Sequence, residues 1–315
     1  MKILHTEIKK GSSTYLTLET ARLHTHTKIE VPVLIERGKK PGPTLLLSAG
    51  IHGDEVNGVE IVRRAIKEKI TKPECGTVIA IPVLNVLGFL NKTREFPDGK
   101  DLNRFFPGSK TGSLANQFAH TFMQEIVPHI DYCIDFHTGG SFRNNIPQIR
   151  VSRGNPELLE LAEVFNPKYI VQAPVRDKSF RESATKLGKK VLLFEGGKAL
   201  NFSKGVTEAG LQGIMRVMQH IGMRDFETAI SPAKRESIFI VESLWQRARH
   251  SGLFHTFVKD GEYITKGQIL GSISDPYGKV EYLIKAKQNA HIIGMSHSPI
   301  VMQGDALFHL GVEKE

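Results

Sequence analysis

The sequence predicts an α/β fold: a mixed, largely parallel sheet flanked by helices, followed by a small β-rich C-terminal domain. Three observations carry that prediction. Short apolar runs at 44–48, 76–82, 132–137 and 190–195 have the length of buried strands. Segments with helical spacing of apolar residues separate these runs, so strand and helix alternate as in βαβ units. From about residue 232 the pattern becomes short alternating segments punctuated by glycine, which puts a boundary at Ser231-Pro232 and gives domains 1–231 and 232–315.

In chain order, Tyr15-Leu-Thr-Leu-Glu19 and Ile29-Glu-Val-Pro-Val-Leu-Ile35 alternate weakly, as in a hairpin or sheet edge, and Pro41-Gly-Pro43 is expected to break the chain before the first core strand, Thr44–Ser48. Val56, Val59, Val62, Ile66 and Ile70, with Ala65 between, then recur at helical spacing, and Arg63, Arg64, Lys67 and Glu68 fall on the wet side. That helix should end near Lys72-Pro73, before a second buried strand at 76–82. Asn85 to Arg104 is polar and aperiodic, and loops of that length are usually functional. Ser113 is placed to cap a helix whose inner face is Leu114, Phe118, Phe122, Met123, Ile126 and Ile130. Beyond the strand 132–137, Pro156 opens another helix, Tyr169–Gln172 is strand-like, and 190–195 is again a buried strand. A long helix with Leu211, Ile214, Met215, Met218 and Ile221 stops at Gly222 and closes the first domain.

Composition bounds the function. The 315 residues, 40% hydrophobic and 24% charged, suit a globular enzyme and not a disordered or fibrous chain. No signal-peptide core follows Met1-Lys-Ile-Leu-His5 and no run reaches membrane-spanning length, which leads us to expect no membrane partner. The net charge of +9 is spread along the chain with no basic tract interleaved with aromatics, which argues against nucleic acid and for an acidic small substrate or a solvated surface. Cys75 and Cys133 are the only cysteines, and a reducing cytoplasm fits them best. A homo-oligomer is compatible with all of this.

The chemistry concentrates at strand ends. In Ser48-Ala-Gly-Ile-His52-Gly-Asp-Glu55-Val-Asn-Gly58 an imidazole and a carboxylate stand where an apolar strand turns into an amphipathic helix, the edge at which open α/β sheets hold ligands. The plainer reading is that Asp54 or Glu55 caps the helix. A second strand-end histidine, His137 in Tyr132-Cys-Ile-Asp-Phe-His137-Thr-Gly-Gly140, would be carried to the same edge in a parallel sheet. His120 and His129 have no partner at a metal-binding spacing and read as ordinary helix histidines. Together His52, Glu55 and His137 form a His₂Glu set, suited to one catalytic zinc per chain with a position open for water; two imidazoles favour zinc over calcium or magnesium. Glu195 closes a buried strand, where a charge is costly unless paired or used, so it is the candidate general base.

His52-Gly-Asp-Glu55, Asp101-Leu-Asn103-Arg104, His137-Thr-Gly and Phe194-Glu195-Gly-Gly together resemble the succinylglutamate desuccinylase/aspartoacylase family of zinc carboxypeptidase-like hydrolases, in the right order from about residue 44 on. The resemblance implies His52, Glu55 and His137 as zinc ligands and Glu195 as base. It also implies Arg94, Asn103 and Arg104 near the substrate, with Arg104 or Arg94 meeting a carboxylate or the scissile carbonyl oxygen. The expected activity is removal of an acyl group from a small N-acyl amino acid. A metallocarboxypeptidase acting on short peptides would use the same zinc and base.

The stretch from Ser141 to Arg181 departs from the dedicated enzymes, and Arg143, Arg150, Arg153 and Arg176 stay open as readers of the substrate side chain. In the C-terminal part, Tyr263–Leu270 and Pro299–Leu307 look like an internal repeat similar to the folded-over halves of a biotinyl/lipoyl-type sandwich. Lys279 sits in a turn there without the usual carrier surround, so a lid or scaffold is expected in preference to a carrier.

Overall fold

Leu45, Leu46 and Leu47 are all fully buried, because their strand is covered on both faces and consecutive side chains point in opposite directions. The rest of the fold is built outward from that strand. The structure is a computed structural model and describes residues 1–152, 154–226, 229–231 and 236–314.

A short bridge of β1 (Lys2–Ile3) and β2 (Thr6–Glu7) leads into the hairpin β3 (Ser13–Arg22) and β4 (Lys28–Arg37). The core unit follows as β5 (Lys40–Ala49), α1 (Val56–Lys67), β6 (Cys75–Ile81), α2 (Val86–Asn91), α3 (Leu114–Glu125) and β7 (Tyr132–Gly139). Then come β8 (Arg143–Val151), α4 (Pro156–Phe165), β9 (Tyr169–Gln172), α5 (Phe180–Lys186), β10 (Lys190–Lys198) and α6 (Lys204–His220). The C-terminal part is all strand: β11 (Ile238–Arg247), β12 (Gly252–Thr256), β13 (Tyr263–Ile264), β14 (Ile269–Ser274), β15 (Glu281–Lys285), β16 (Ala290–Ser296), β17 (Ile300–Val301) and β18 (Ala306–Glu313).

One sheet of 12 strands runs in the order β13-β16-β18-β11-β9-β8-β10-β7-β5-β6-β4-β3. Its centre, β10-β7-β5-β6, is parallel, as are β8 with β9 and β9 with β11. The remaining pairings are antiparallel and outnumber the parallel ones, so the expectation of a largely parallel sheet is narrowed to its centre. The fold is mixed α/β.

Apolar side chains of alternate parity fill two cores. Leu45, Leu47, Ile134, Phe136 and Phe194 pack under α1, α4 and α6, while Leu46, Cys133 and Val191 face α3 and α5. Ser48, Asp135, His137 and Glu195 share the second parity and therefore open toward α5. In α1 the buried face is Asn57, Gly58, Ile61, Val62 and Ala65, rotated from the expected stripe. Gly58 explains the rotation: a Cβ there would lie 2.8 Å from both the Cβ and the O of Phe136, so the helix rides directly on β7.

Two further expectations are corrected. Pro41-Gly-Pro43 does not break the chain; β5 runs through it with a register shift between Lys40 and Thr44, an irregularity of the kind that tolerates proline within a strand. The polar stretch 85–104 is not wholly loop. It contains α2, capped by the Asn85 side chain accepting from Gly88 N at 2.8 Å, and a 3-10 turn at Leu102–Arg104. The C-terminal strands have their own apolar core around Phe254, Leu270, Ile292 and Phe308; β12, β14, β15 and β17 form a separate four-stranded sheet, while β11, β13, β16 and β18 continue the main one. β11 pairs with β9, β16 pairs with β8, and Tyr169, Val171, Ile240 and Ile293 form a small apolar cluster across the junction. Pro232 of the expected boundary lies outside the described residues, as does Arg153.

The internal repeat has a structural counterpart. β13 and β17 are both two-residue strands, each followed by a glycine at positive φ (Gly267 at 87°, Gly304 at 95°) and then a longer strand, β14 or β18. Lys279 is exposed in the turn of the β14–β15 hairpin. No helix among the described residues is long and apolar enough to cross a membrane. Cys75 and Cys133 are free thiols, the second buried.

Candidate active site

β5 ends at Ala49, and Gly50 at φ 63° turns the chain so that the loop 51–55 folds back over the strand ends. This delivers His52 beside Glu55, the residue before α1. Although Glu55 occupies the N-cap position, its side chain makes no capping bond, so the plain capping role is excluded for it. Its Oε1 instead lies 2.7 Å from His52 Nδ1, and its Oε2 lies 3.0 Å from His137 Nδ1 and accepts from Thr138 N at 3.0 Å. All three side chains are buried, and one ligand atom from each lies within 4.8 Å of the others. Residues separated by most of a domain in sequence thus meet at one sheet edge.

The outer nitrogens are held as well. His52 Nε2 is 3.0 Å from Asp101 Oδ1, and His137 Nε2 is 2.9 Å from Asp135 Oδ2. Asp135 is oriented in turn by Ser48 Oγ, which donates to its Oδ1 at 2.6 Å. Imidazoles that face a shared carboxylate with one nitrogen and an outer carboxylate with the other form the donor arrangement of a metal site with its supporting shell. Burial opposes charge on both rings, but the carboxylates win. Glu55 and Asp101 raise His52, Asp135 and Glu55 hold His137 well above the usual histidine range, and Glu55 is held well below the carboxylate range by the two imidazoles despite its burial. A cluster so disposed calls for positive charge at its centre, and a divalent cation fits the donor set.

Glu195 on β10 is directly in register with His137 on the neighbouring β7. Its Oε2 accepts from Asn145 Nδ2 at 2.8 Å, and its Oε1 lies 3.6 Å from Arg150 Nε. Both residues, together with the histidines and Glu55, line one cavity of about 360 Å³.

The expected substrate residues reach the same cavity. Arg94 is already engaged: Nη1 donates to Glu55 Oε1 and Nη2 to Asp101 Oδ2, both at 2.9 Å, and the Asn85 side chain holds the backbone of Glu95 beside it at 3.0 Å. Asn103 accepts at Oδ1 from Phe180 N at 2.8 Å, tying the Arg104 turn to α5. Arg104 donates to Asn103 O at 2.6 Å and stands 3.8 Å from Asp101, leaving much of its guanidinium to the cavity. Burial lowers its pKa, with Arg176 and Arg94 adding to that effect.

Residues 41–221 match the succinylglutamate desuccinylase/aspartoacylase catalytic domain. The chain belongs to the succinylglutamate desuccinylase/aspartoacylase family. Over 260 residues it is 28% identical to an N-alpha-acetyl-L-2,4-diaminobutyric acid deacetylase from Halomonas elongata, covering 78% of this chain and 75% of that protein. Its fold is that of a succinylglutamate desuccinylase/aspartoacylase from Rhodobacter sphaeroides (TM-score 0.85, 23% identity, 100% of both chains). It is equally that of the product-bound ectoine utilization protein EutE from Ruegeria pomeroyi (TM-score 0.85, 20% identity, 98% of this chain and 97% of that one).

Several residues of this family site were not singled out from sequence. Asp135 carries a signal that could have been read, an acid two residues before a strand-end histidine and hence on the same face. Asn145 and Arg181 sit in segments to which the sequence pattern assigns no element. Trp245 lines the cavity from β11, where it stacks on His309 with ring centroids 4.5 Å apart and lies under the Arg143 guanidinium.

Proposed function

We propose that the protein is a zinc-dependent amidohydrolase that removes the acyl group from a small N-acyl amino acid. The observation that carries this reading is the register of Glu195 with His137, which sets a carboxylate beside the His52, Glu55 and His137 cluster within one cavity. His52, Glu55 and His137 would hold one zinc ion per chain. Bound there, zinc supplies Lewis acidity to the amide carbonyl and acidifies water.

Asn145 fixes one Glu195 oxygen and leaves the other toward the cavity, positioned to take a proton from the attacking water. The water oxygen bonds to the acyl carbon, the C–N bond breaks, and the proton held by Glu195 passes to the departing nitrogen. The products are a carboxylate and an amine. Arg104 meets the substrate carboxylate or steadies the carbonyl oxygen as it gains charge. Arg94, bonded to Glu55 and Asp101, contributes mainly by fixing those two acids beside the substrate. The deacetylase named among the relatives supports amide hydrolysis on a small molecule. Free thiols at Cys75 and Cys133 support a cytoplasmic setting. We divide the chain near Ser231-Pro232 into a catalytic part and a β-rich part that scaffolds the cavity.

Metal analysis together with amine release from N-acyl amino acids and from C-terminal dipeptides tests the reading. One zinc per chain and turnover of the acyl amino acids are expected. Turnover of peptides alone would make it a carboxypeptidase, and a mass adduct on Lys279 without hydrolysis would make it a carrier.

A further inference from the structure

Among the described residues the two larger sheets end in four edge strands: β3 and β13 bound the 12-stranded sheet, and β15 and β17 bound the four-stranded one. A free edge presents a row of unpaired backbone donors and acceptors, and folded proteins commonly blunt it. β13 and β17 are only two residues long, and β3 carries an extra residue between Glu19 and Ala21 where it pairs with β4, an irregularity that spoils a straight ladder. β15 has no such protection. Its sequence, Glu281-Tyr-Leu-Ile-Lys285, contains no proline, and every residue but Ile284 is exposed.

The direction of its peptide groups can be read from its two ends. Asp275 N donates to Val280 O, and Ala286 N donates to Gln268 O, so both flanking residues face the β14 side. The irregularity in this hairpin, between Ile269 and Gly271, adds its residue to β14, so alternation along β15 is unbroken and the peptide groups of Glu281, Leu283 and Lys285 point outward. The Lys285 carbonyl accepts from Gln246 Nε2 at 2.9 Å, which marks the end of the open edge. Side chains alternate as well. Ile284 packs against the C-terminal core, and Tyr282, on the same face, stacks on His250 with ring centroids 3.7 Å apart. Glu281, Leu283 and Lys285 share the other face, where Leu283 is 52% exposed.

We propose that β15 is the surface through which two copies of this chain associate, edge to edge and antiparallel, about a two-fold axis at Leu283. The order of charges selects a second copy as the occupant. In antiparallel pairing centred on Leu283, Glu281 of each copy lies opposite Lys285 of the other, and Tyr282 lies opposite Ile284. One five-residue segment thus supplies both halves of two ion pairs around a leucine–leucine contact. Leu283, whose peptide groups point outward, forms the hydrogen-bonded pair at the axis. The two four-stranded sheets become one continuous sheet. So short an edge covers less than the ~1,600 Å² of a standard interface, so the dimer forms and dissociates with concentration.

Sedimentation equilibrium of the 315-residue chain from ~1 to ~100 μM should show monomer passing into dimer. Glu281→Lys alone and Lys285→Glu alone each convert both ion pairs into like-charge contacts and should raise the dissociation constant by ~10-fold or more. The double variant should restore it, and mixing the two single variants in equal amounts should give a heterodimer. Leu283→Lys should stay monomeric throughout. These side chains are exposed, so circular dichroism and melting of the diluted variants should match the parent chain. A monomer at every concentration overturns the proposal. A dimer indifferent to the charge reversals, or single variants that fail to pair with each other, places the contact on another surface and overturns it equally.

Discussion

The two ends of the cavity are built on opposite terms. Around His52, Glu55 and His137 both ring nitrogens and both Glu55 oxygens have partners, down to Ser48 behind Asp135. Around Arg150 and Arg181, donors are left idle in a buried setting. On the proposed function the contrast separates two tasks: a reaction centre must be stiff before substrate arrives, whereas a reading surface is completed by the substrate itself. Substitutions at the first end should therefore change metal retention or turnover for every substrate, and substitutions at the second should change which substrate is chosen.

The sharpest way to break that division is His137→Ala. Zinc content should fall from one per chain to background and activity should fall with it, checked by metal analysis and amine release; retained zinc would remove His137 from the ligand set. Next is Glu195→Gln, which should keep the metal while kcat drops by at least ~10² on every substrate. Asp135→Asn should weaken zinc binding by about 10–100-fold, read by chelator competition, with the fold's melting transition retained. An unchanged affinity there would mean that the outer carboxylate does not orient His137.

The smallest effect concerns His309, behind the arginine end. Burial, helped by the charges of Arg150 and Arg143, depresses its pKa to about 3, so it stays neutral in the folded protein while the unfolded chain protonates it near the ordinary 6.5. The unfolded state then binds more protons between those values, so stability is lost as pH falls through that window, by up to about 1.4 kcal/mol per pH unit from this group. His309→Phe keeps a ring against Trp245 and should flatten the slope of denaturation midpoint against pH in metal-free protein. Parallel slopes for the two proteins would exclude His309 as the source.

How much was legible from sequence follows the same division. His52, His137 and Glu195 announce themselves because each ends an apolar run, and a polar side chain at such a place has few other reasons to be there. The arginine end is written in segments without a strong period. β8, with two Arg, two Asn, a Pro and a Gln, has too few apolar residues to read as a strand, and α5 is only seven residues long. Trp245 reaches the cavity only because β11 pairs with β9, a contact between distant segments that local periodicity does not encode. The alternating runs pointed to a largely parallel sheet, which holds only for the β10-β7-β5-β6 centre, because the antiparallel flanks require partner choices made across the whole chain.

The ladders that β11 and β16 form with β9 and β8 have a consequence for how the molecule comes apart. Peeling away the C-terminal strands would strip hydrogen-bond partners from the segment that carries Asn145 and Arg150. Melting should accordingly be a single cooperative event, and a fragment ending near residue 231 would expose raw strand edges prone to self-association.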